Sequence, residues 1–148
     1  MALTKIKLGE LISLSDERNG QLYGLDAVKG ISIQKNFIET KAYMDGVSLK
    51  PYLLVKPDYF AYNTNTARMG EKIALAHNTS ENTYIVSSSY IVFYVNKPDI
   101  LLSDYLFMYF NRPEFDRYSR FHSWGSARET FSWEEMCDIE IELPPIET

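Results

Sequence analysis

The run from Tyr84 to Val95 reads Tyr-Ile-Val-Ser-Ser-Ser-Tyr-Ile-Val-Phe-Tyr-Val. Outside its serines, every residue is β-branched or aromatic, and such side chains favour a pleated, half-buried surface. A chain carrying this segment has to build a sheet around it. The serines predict a bend or a close backbone approach inside the run. Shorter segments supply partners. Tyr52–Val55 and Tyr59–Tyr62 read as strands joined by the turn Lys56-Pro57-Asp58, and Lys72–Ala76 reads as a further strand. Ile139, Ile141 and Leu143 alternate with Glu140 and Glu142, the pattern of a half-buried closing strand. Near the start, Gly9 separates a strand-like opening from a short helical turn within Lys5–Leu14, and Asn19-Gly20 marks a turn. From Tyr23 to Thr40 the pattern is weak, with only short strand pieces around Val28, Ile31, Ile33, Phe37 and Ile38.

Helices are expected after the central run. Ser103 reads as an N-cap for a helix over Asp104–Phe110. Asn111-Arg112-Pro113 ends it, and Pro113 opens a second helix through Arg117 or Arg120. Ser132-Trp133-Glu134-Glu135 has the form of a capping box before a single turn. Asn63–Gly70, His77–Asn82 and His122–Thr130 read as loops. These readings together describe an α+β fold: one β-rich domain over residues 1–148, with a twisted, mostly antiparallel sheet and a few short helices. A chain of 148 residues can bury a core of this kind without disulfides or metals.

Chemistry is sparse. The single cysteine, Cys137, cannot form an intrachain disulfide, and its helical spacing from Trp133 and Met136 predicts a buried structural thiol. The only Pro-Pro follows Leu143, which cannot accept the hydrogen bonds that a methyltransferase's catalytic Asn or Asp accepts from an exocyclic amine. Pro57-Asp58 and Pro98-Asp99 lack the acid-any-Lys triplet of a metal-dependent nuclease. His77 and His122 have no ligand spacing between them, so no metal site is expected. There is no phosphate-binding loop of the Walker kind and no nucleophile elbow. The chain is expected not to be an enzyme. No signal-peptide pattern or membrane-length apolar run is present, so a cytoplasmic location with no membrane partner is the default.

Four segments, in this order and spacing, resemble the target recognition domain of type I restriction-modification specificity subunits. They are Lys7-Leu8-Gly9-Glu10; Tyr59-Phe60-Ala61-Tyr62-Asn63 through Arg68-Met69-Gly70-Glu71-Lys72-Ile73-Ala74; Ile85–Phe93; and Gly125-Ser126-Ala127-Arg128 through Phe131-Ser132-Trp133 to Ile141–Glu147. The resemblance covers nearly the whole chain. It implies that family's recognition-domain fold and sequence-specific reading of one half of a bipartite site in double-stranded DNA. It also implies partners: modification (methyltransferase) subunits, which would bind S-adenosylmethionine, and a restriction motor subunit in the full complex. No cofactor is expected on this chain itself. The family's spacer helix would follow residue 148 and is absent from this sequence. Two other readings stay open: the recognition domain of a single-chain restriction-modification enzyme, and an interaction module of the same fold that does not bind DNA. A small ligand-binding domain is a weaker one, resting on the aromatic content.

The net charge of −5 runs against a DNA reader, because phosphate neutralisation calls for basic surface. In the family, partner subunits embrace the DNA and can supply that attraction. Within this chain, Arg68, Lys72, Arg112, Arg117, Arg120 and Arg128 are expected to converge on one face, with the acidic stretch Glu134–Glu147 elsewhere. Residues that match the family pattern cannot choose the sequence read, since members read different sites. Asn63, Arg68, Lys72, Gly125, Ser126 and Arg128 are therefore assigned to phosphate contact or loop framework. Base readers are expected in the loosely patterned segments Arg18–Lys35, Asn63–Thr66, His77–Thr83 and Ser119–Trp124. Arg and Lys suit guanine edges and Asn and Gln suit adenine, which selects Arg18, Asn19, Gln21, Lys29, Gln34, Lys35, Asn65 and Arg120.

Overall fold

The computed structural model describes residues 4–20, 22–24, 27–32, 34–39, 48–64, 73–123 and 132–143. In chain order its strands are β1 (Thr4–Lys7), β2 (Ile12–Ser15), β3 (Lys29–Ile31), β4 (Phe37–Glu39), β5 (Leu53–Val55), β6 (Phe60–Asn63), β7 (Leu75–His77), β8 (Tyr84–Val86), β9 (Tyr90–Val95) and β10 (Glu140–Leu143). The helices are α1 (Ser103–Phe110), α2 (Pro113–Ser123) and α3 (Trp133–Cys137). A 3-10 turn, Leu8–Glu10, joins β1 to β2.

The central sheet has four antiparallel strands in the order β2-β9-β6-β7. Its middle strands are buried on both faces, and alternation along β6 shows how. Phe60 and Tyr62 face one core, with Phe93, Leu75 and Ile73, against Leu106 and Phe110 of α1, Phe115 of α2 and Met136 of α3. Ala61 faces the opposite core with Ala76 and Val92, beneath Ile31, Leu53, Val55 and Val86. Small side chains on this second face let β5, β8 and the β3–β4 hairpin pack closely over the sheet.

The Tyr84–Val95 run is two strands rather than one. β8 pairs with β5 in a two-stranded sheet, while β9 pairs with β2 and β6. The serines make the transfer: Ser87 Oγ accepts from the Ser89 amide at 3.3 Å and lies 3.1 Å from Ser89 Oγ, and the Tyr90 amide returns to the Ser87 carbonyl. β10 pairs antiparallel with β1, Thr4 opposite Leu143 and Lys7 opposite Glu140.

Helix ends depart from expectation in places. Ser103 is not a cap: Leu102 occupies the cap position without a side-chain bond, and the Ser103 hydroxyl donates to Asp58 Oδ2 at 2.7 Å. α2 runs on to Ser123, past the expected end and into the segment read as a loop. Ser132 does cap α3, its Oγ accepting from the Glu135 amide at 3.2 Å. His77 closes β7 instead of opening a loop. Its ring stacks on Phe60 at 4.3 Å between centroids, with Nε2 2.8 Å from Asp58 Oδ1. Cys137 is half-buried; desolvation, then the neighbouring Asp138 and Glu134 charges, push its thiol above the usual range. Among the described residues no helix is long and apolar enough to cross a membrane.

Candidate nucleic-acid interface

Two of the loosely patterned segments meet in space. The first, residues 18–35, is pinned at its base by backbone pairing: Arg18 bridges Leu53, and Val28 bridges Ile85 in parallel. Asn19 organises the turn. Its Nδ2 donates to the carbonyls of Tyr23 (3.0 Å) and Leu49 (3.1 Å), and its Oδ1 accepts from the Tyr23 amide at 2.9 Å. Gly20 follows at φ +59°, a left-handed conformation that glycine adopts at little cost. The second segment, the loop after β7, is built on Asn78. Its Nδ2 donates to the carbonyls of Val55 (2.9 Å) and Asn82 (2.8 Å), and its Oδ1 accepts from Ser80.

Between them lies a groove of about 580 Å³. Tyr23, Ala27 and Lys29 line one side; Glu81, Asn82, Thr83 and Tyr84 line the other. Lys29 Nζ stands 5.2 Å from the centroid of the Tyr84 ring, a cation–π contact that leaves the ammonium free to donate. The groove thus holds a cation, a carboxylate, an amide and hydroxyls. In general a lysine suits guanine edges, a carboxylate the cytosine amine and an amide adenine, while hydroxyls suit either partner. Phe37 meets Tyr84 edge to face at 5.1 Å, and beyond it a smaller pocket of about 230 Å³ is lined by Lys35, Asn36, His77, Thr79 and Phe107 among others.

The residues nominated from sequence divide by environment. Lys29 lines the groove. Gln34 is exposed at the tip of the β3–β4 turn, and Arg18 is exposed with one guanidinium nitrogen donating to the Pro51 carbonyl at 2.8 Å. Asn19 and Lys35 are different: they are 1% and 4% exposed, and internal partners hold their side chains. Lys35 donates to Asp116 Oδ1 at 2.9 Å and to the Ile73 carbonyl at 3.2 Å. In this conformation neither can reach a base edge, because a buried polar group satisfied inside the fold is not presented to a ligand. Asn63 ends β6, half-buried, opposite Tyr90. Gln21, Asn65, Arg68, Lys72, Gly125, Ser126 and Arg128 lie outside the described residues, as does the side chain of Arg120, whose backbone is helical in α2. Tyr84, Asn82 and Glu81 were not nominated individually; the available signal was an aromatic strand start directly after a loose loop.

Among the described residues, the cations expected on one basic face, Arg112 and Arg117, stand beside acidic ones. Arg112 lines a surface groove of about 590 Å³ together with Asp138, Glu140 and Glu142, and with Tyr105, Tyr109 and Tyr118. Burial raises the Tyr109 hydroxyl to a pKa of about 12, so it stays protonated here. Lys5 and Lys7 stand 3.9 Å from Glu142 and Asp138, and Arg117 stands 3.7 Å from Glu114. Arg112 therefore belongs to a mixed-charge surface, not to a face free of carboxylates. Among the described residues, no group of three or more His, Cys, Asp or Glu could hold a metal ion.

No protein-family model matches the chain, and no curated protein matches it in sequence. Solved structures do. The HsdS subunit from Thermoanaerobacter tengcongensis superposes with a TM-score of 0.56 at 13% identity, over 99% of this chain and 34% of that one. A chain from a structure concerned with complex assembly and conformational transition of the type I R-M system gives a TM-score of 0.58 at 14% identity, over 99% of this chain and 39% of that one. The chain spans between a third and two fifths of the length of these two proteins. The shared architecture is the β-rich antiparallel fold with few short helices expected from the sequence, as it occurs within type I specificity subunits.

Proposed function

We propose that this chain is a DNA target recognition domain that reads one half of a bipartite duplex site and performs no chemistry itself. The observation that carries the reading is the meeting of two loosely patterned segments in the Lys29–Tyr84 groove, on a fold that occurs within specificity subunits. Methyl transfer from S-adenosylmethionine belongs to partner modification subunits on this reading, and cleavage to a motor subunit. The location is the cytoplasm, where such complexes meet DNA. Lys29, Asn82 and Glu81 are the proposed base readers, with Arg18 and Gln34 at the margin. Arg68, Lys72 and Arg128 are the proposed phosphate contacts, with Asn63, Gly125 and Ser126 as framework.

Selection from a random duplex pool at low salt tests this. Lys29→Ala and Asn82→Ala should relax the preference at individual positions, by about 1–3 kcal/mol each. Arg68→Ala and Arg128→Ala should weaken binding on every sequence and reduce the salt slope by about one charge each. A pool that emerges unenriched would sink the reading. The net charge of −5 and the mixed-charge groove at Arg112 favour a second reading, an interaction module that does not bind DNA. An unenriched pool together with co-purification of a modification subunit would support it.

A further inference from the structure

Lys35 sits in the five-residue turn between β3 and β4 with φ +65°, a left-handed conformation that a lysine adopts only when its surroundings hold it there. The holding contacts are ionic and deep. Lys35 Nζ reaches Asp116 Oδ1 of α2 at 2.9 Å and the carbonyl of Ile73 at 3.2 Å. The same Asp116 oxygen accepts from the Ile73 amide at 3.2 Å. Exposure of the two side chains is 4% and 15%. Three segments distant in sequence therefore converge on one ion pair: the β3–β4 turn, helix α2 and the residue leading into β7.

Each of these segments carries proposed DNA contacts. The β3–β4 hairpin bears Lys29 and Gln34, and α2 bears Arg120, which the sequence nominates as a base reader. Ile73 directly follows Lys72 and the Asn65–Lys72 stretch. A buried ion pair is weak evidence for stability, because an apolar pair of similar volume often serves as well or better. Its specific effect is geometric: a short charge-assisted bond fixes distance and direction. Resting on the DNA-reading assignment above, we propose that Lys35–Asp116 is a positioning pair. It sets the register of the β3–β4 turn, α2 and the β7 entry against one another, so that their contacts address the same stretch of duplex.

The test compares the wild-type chain with Lys35→Met, Asp116→Asn and the apolar double variant Lys35→Met/Asp116→Leu. The first readout needs no DNA. Amide hydrogen exchange in the double variant should rise at Ile73 and in the first turns of α2 by about tenfold or more, while the β6–β9 core keeps its protection. The second readout is the affinity ratio between a duplex selected by wild type and a scrambled one. It should fall about tenfold in the double variant, the scale of one misplaced base contact, with the salt slope unchanged. A folded double variant with wild-type exchange and wild-type selectivity overturns the positioning role alone. Raised exchange with wild-type selectivity also overturns it, leaving the pair a structural tie. If wild type itself selects no duplex, the DNA reading falls and this proposal with it. Should the double variant not fold, the single Asp116→Asn, which keeps an acceptor oxygen for the Ile73 amide, carries the same comparison.

Discussion

Asn78 is 1% exposed, and its amide satisfies two carbonyls while its oxygen accepts from the Ser80 amide and hydroxyl. Removing the group takes hydrogen bonds from the Val55 and Asn82 carbonyls, the first of them buried, and leaves the Ser80 amide and hydroxyl without this acceptor. Asn78→Ala should therefore lower stability by about 2–3 kcal/mol. A shift of the urea midpoint with an unchanged m-value is the expected sign, and a shift below about 0.5 kcal/mol would show that water replaces the amide. At this scale the sequence is ambiguous, because a polar residue in a loop reads as solvated. Asn19 and Lys35 were both nominated as base readers on that footing. The acid that buries Lys35 stands 81 residues away, and no local pattern announces it. Lys29 differs in its surroundings: it lines the groove, with its ammonium over the face of the Tyr84 ring.

Among the elements, the turn between β1 and β2 packs tightly against α3. A Cβ added at Gly9 would lie 2.7 Å from Cys137 Cβ and 3.2 Å from the Cys137 carbonyl. Backbone and α3 both stand in the way, so neither can move cheaply. Gly9→Ala should cost about 1–3 kcal/mol through overpacking, seen as a lower melting temperature. Cys137→Ala leaves the added methyl facing another Cβ, so it should rescue little. Gly9 was legible as a break between strand and turn, but the reason for it, α3 pressing from the far end of the chain, was not. Strand identity was largely readable from β-branched and aromatic runs, since those follow burial. The division of Tyr84–Val95 between two sheets was visible only as a serine bend. Which sheet each half joins depends on β5 and β6, residues well removed in sequence. Ser103 shows the limit of capping rules: its hydroxyl had a better acceptor in the Asp58 carboxylate.

For the whole molecule, the charge balance sets what binding should look like. A domain of net charge −5 with several cations paired to its own carboxylates releases few counterions on DNA. The isolated chain should bind duplex DNA with a dissociation constant of about 10⁻⁴–10⁻⁶ M at physiological salt. Fluorescence anisotropy across a salt series measures it, and nanomolar binding by the chain alone would show that its own surface supplies the phosphate attraction. Fold class was legible at this scale because four motif segments kept their order along nearly the whole chain. The candidate face was not, because net charge averages over both surfaces and Arg112 sits among acids.

The pairing of β1 with β10 has a consequence in time. Thr4 lies opposite Leu143, and the Leu8 amide donates to the Ile139 carbonyl, so β1 waits for a strand more than a hundred residues later. Closing a loop of that span carries the largest entropy cost of any strand pairing in the chain. During synthesis Leu8 and Leu11, both buried in the folded domain, stand uncovered by α3 until Trp133–Cys137 has been made. The ribbon is then expected to be the last strand pairing to form on folding. A nascent chain stalled before residue 132 would hold an assembled β6–β9 sheet with one flank of its core still wet.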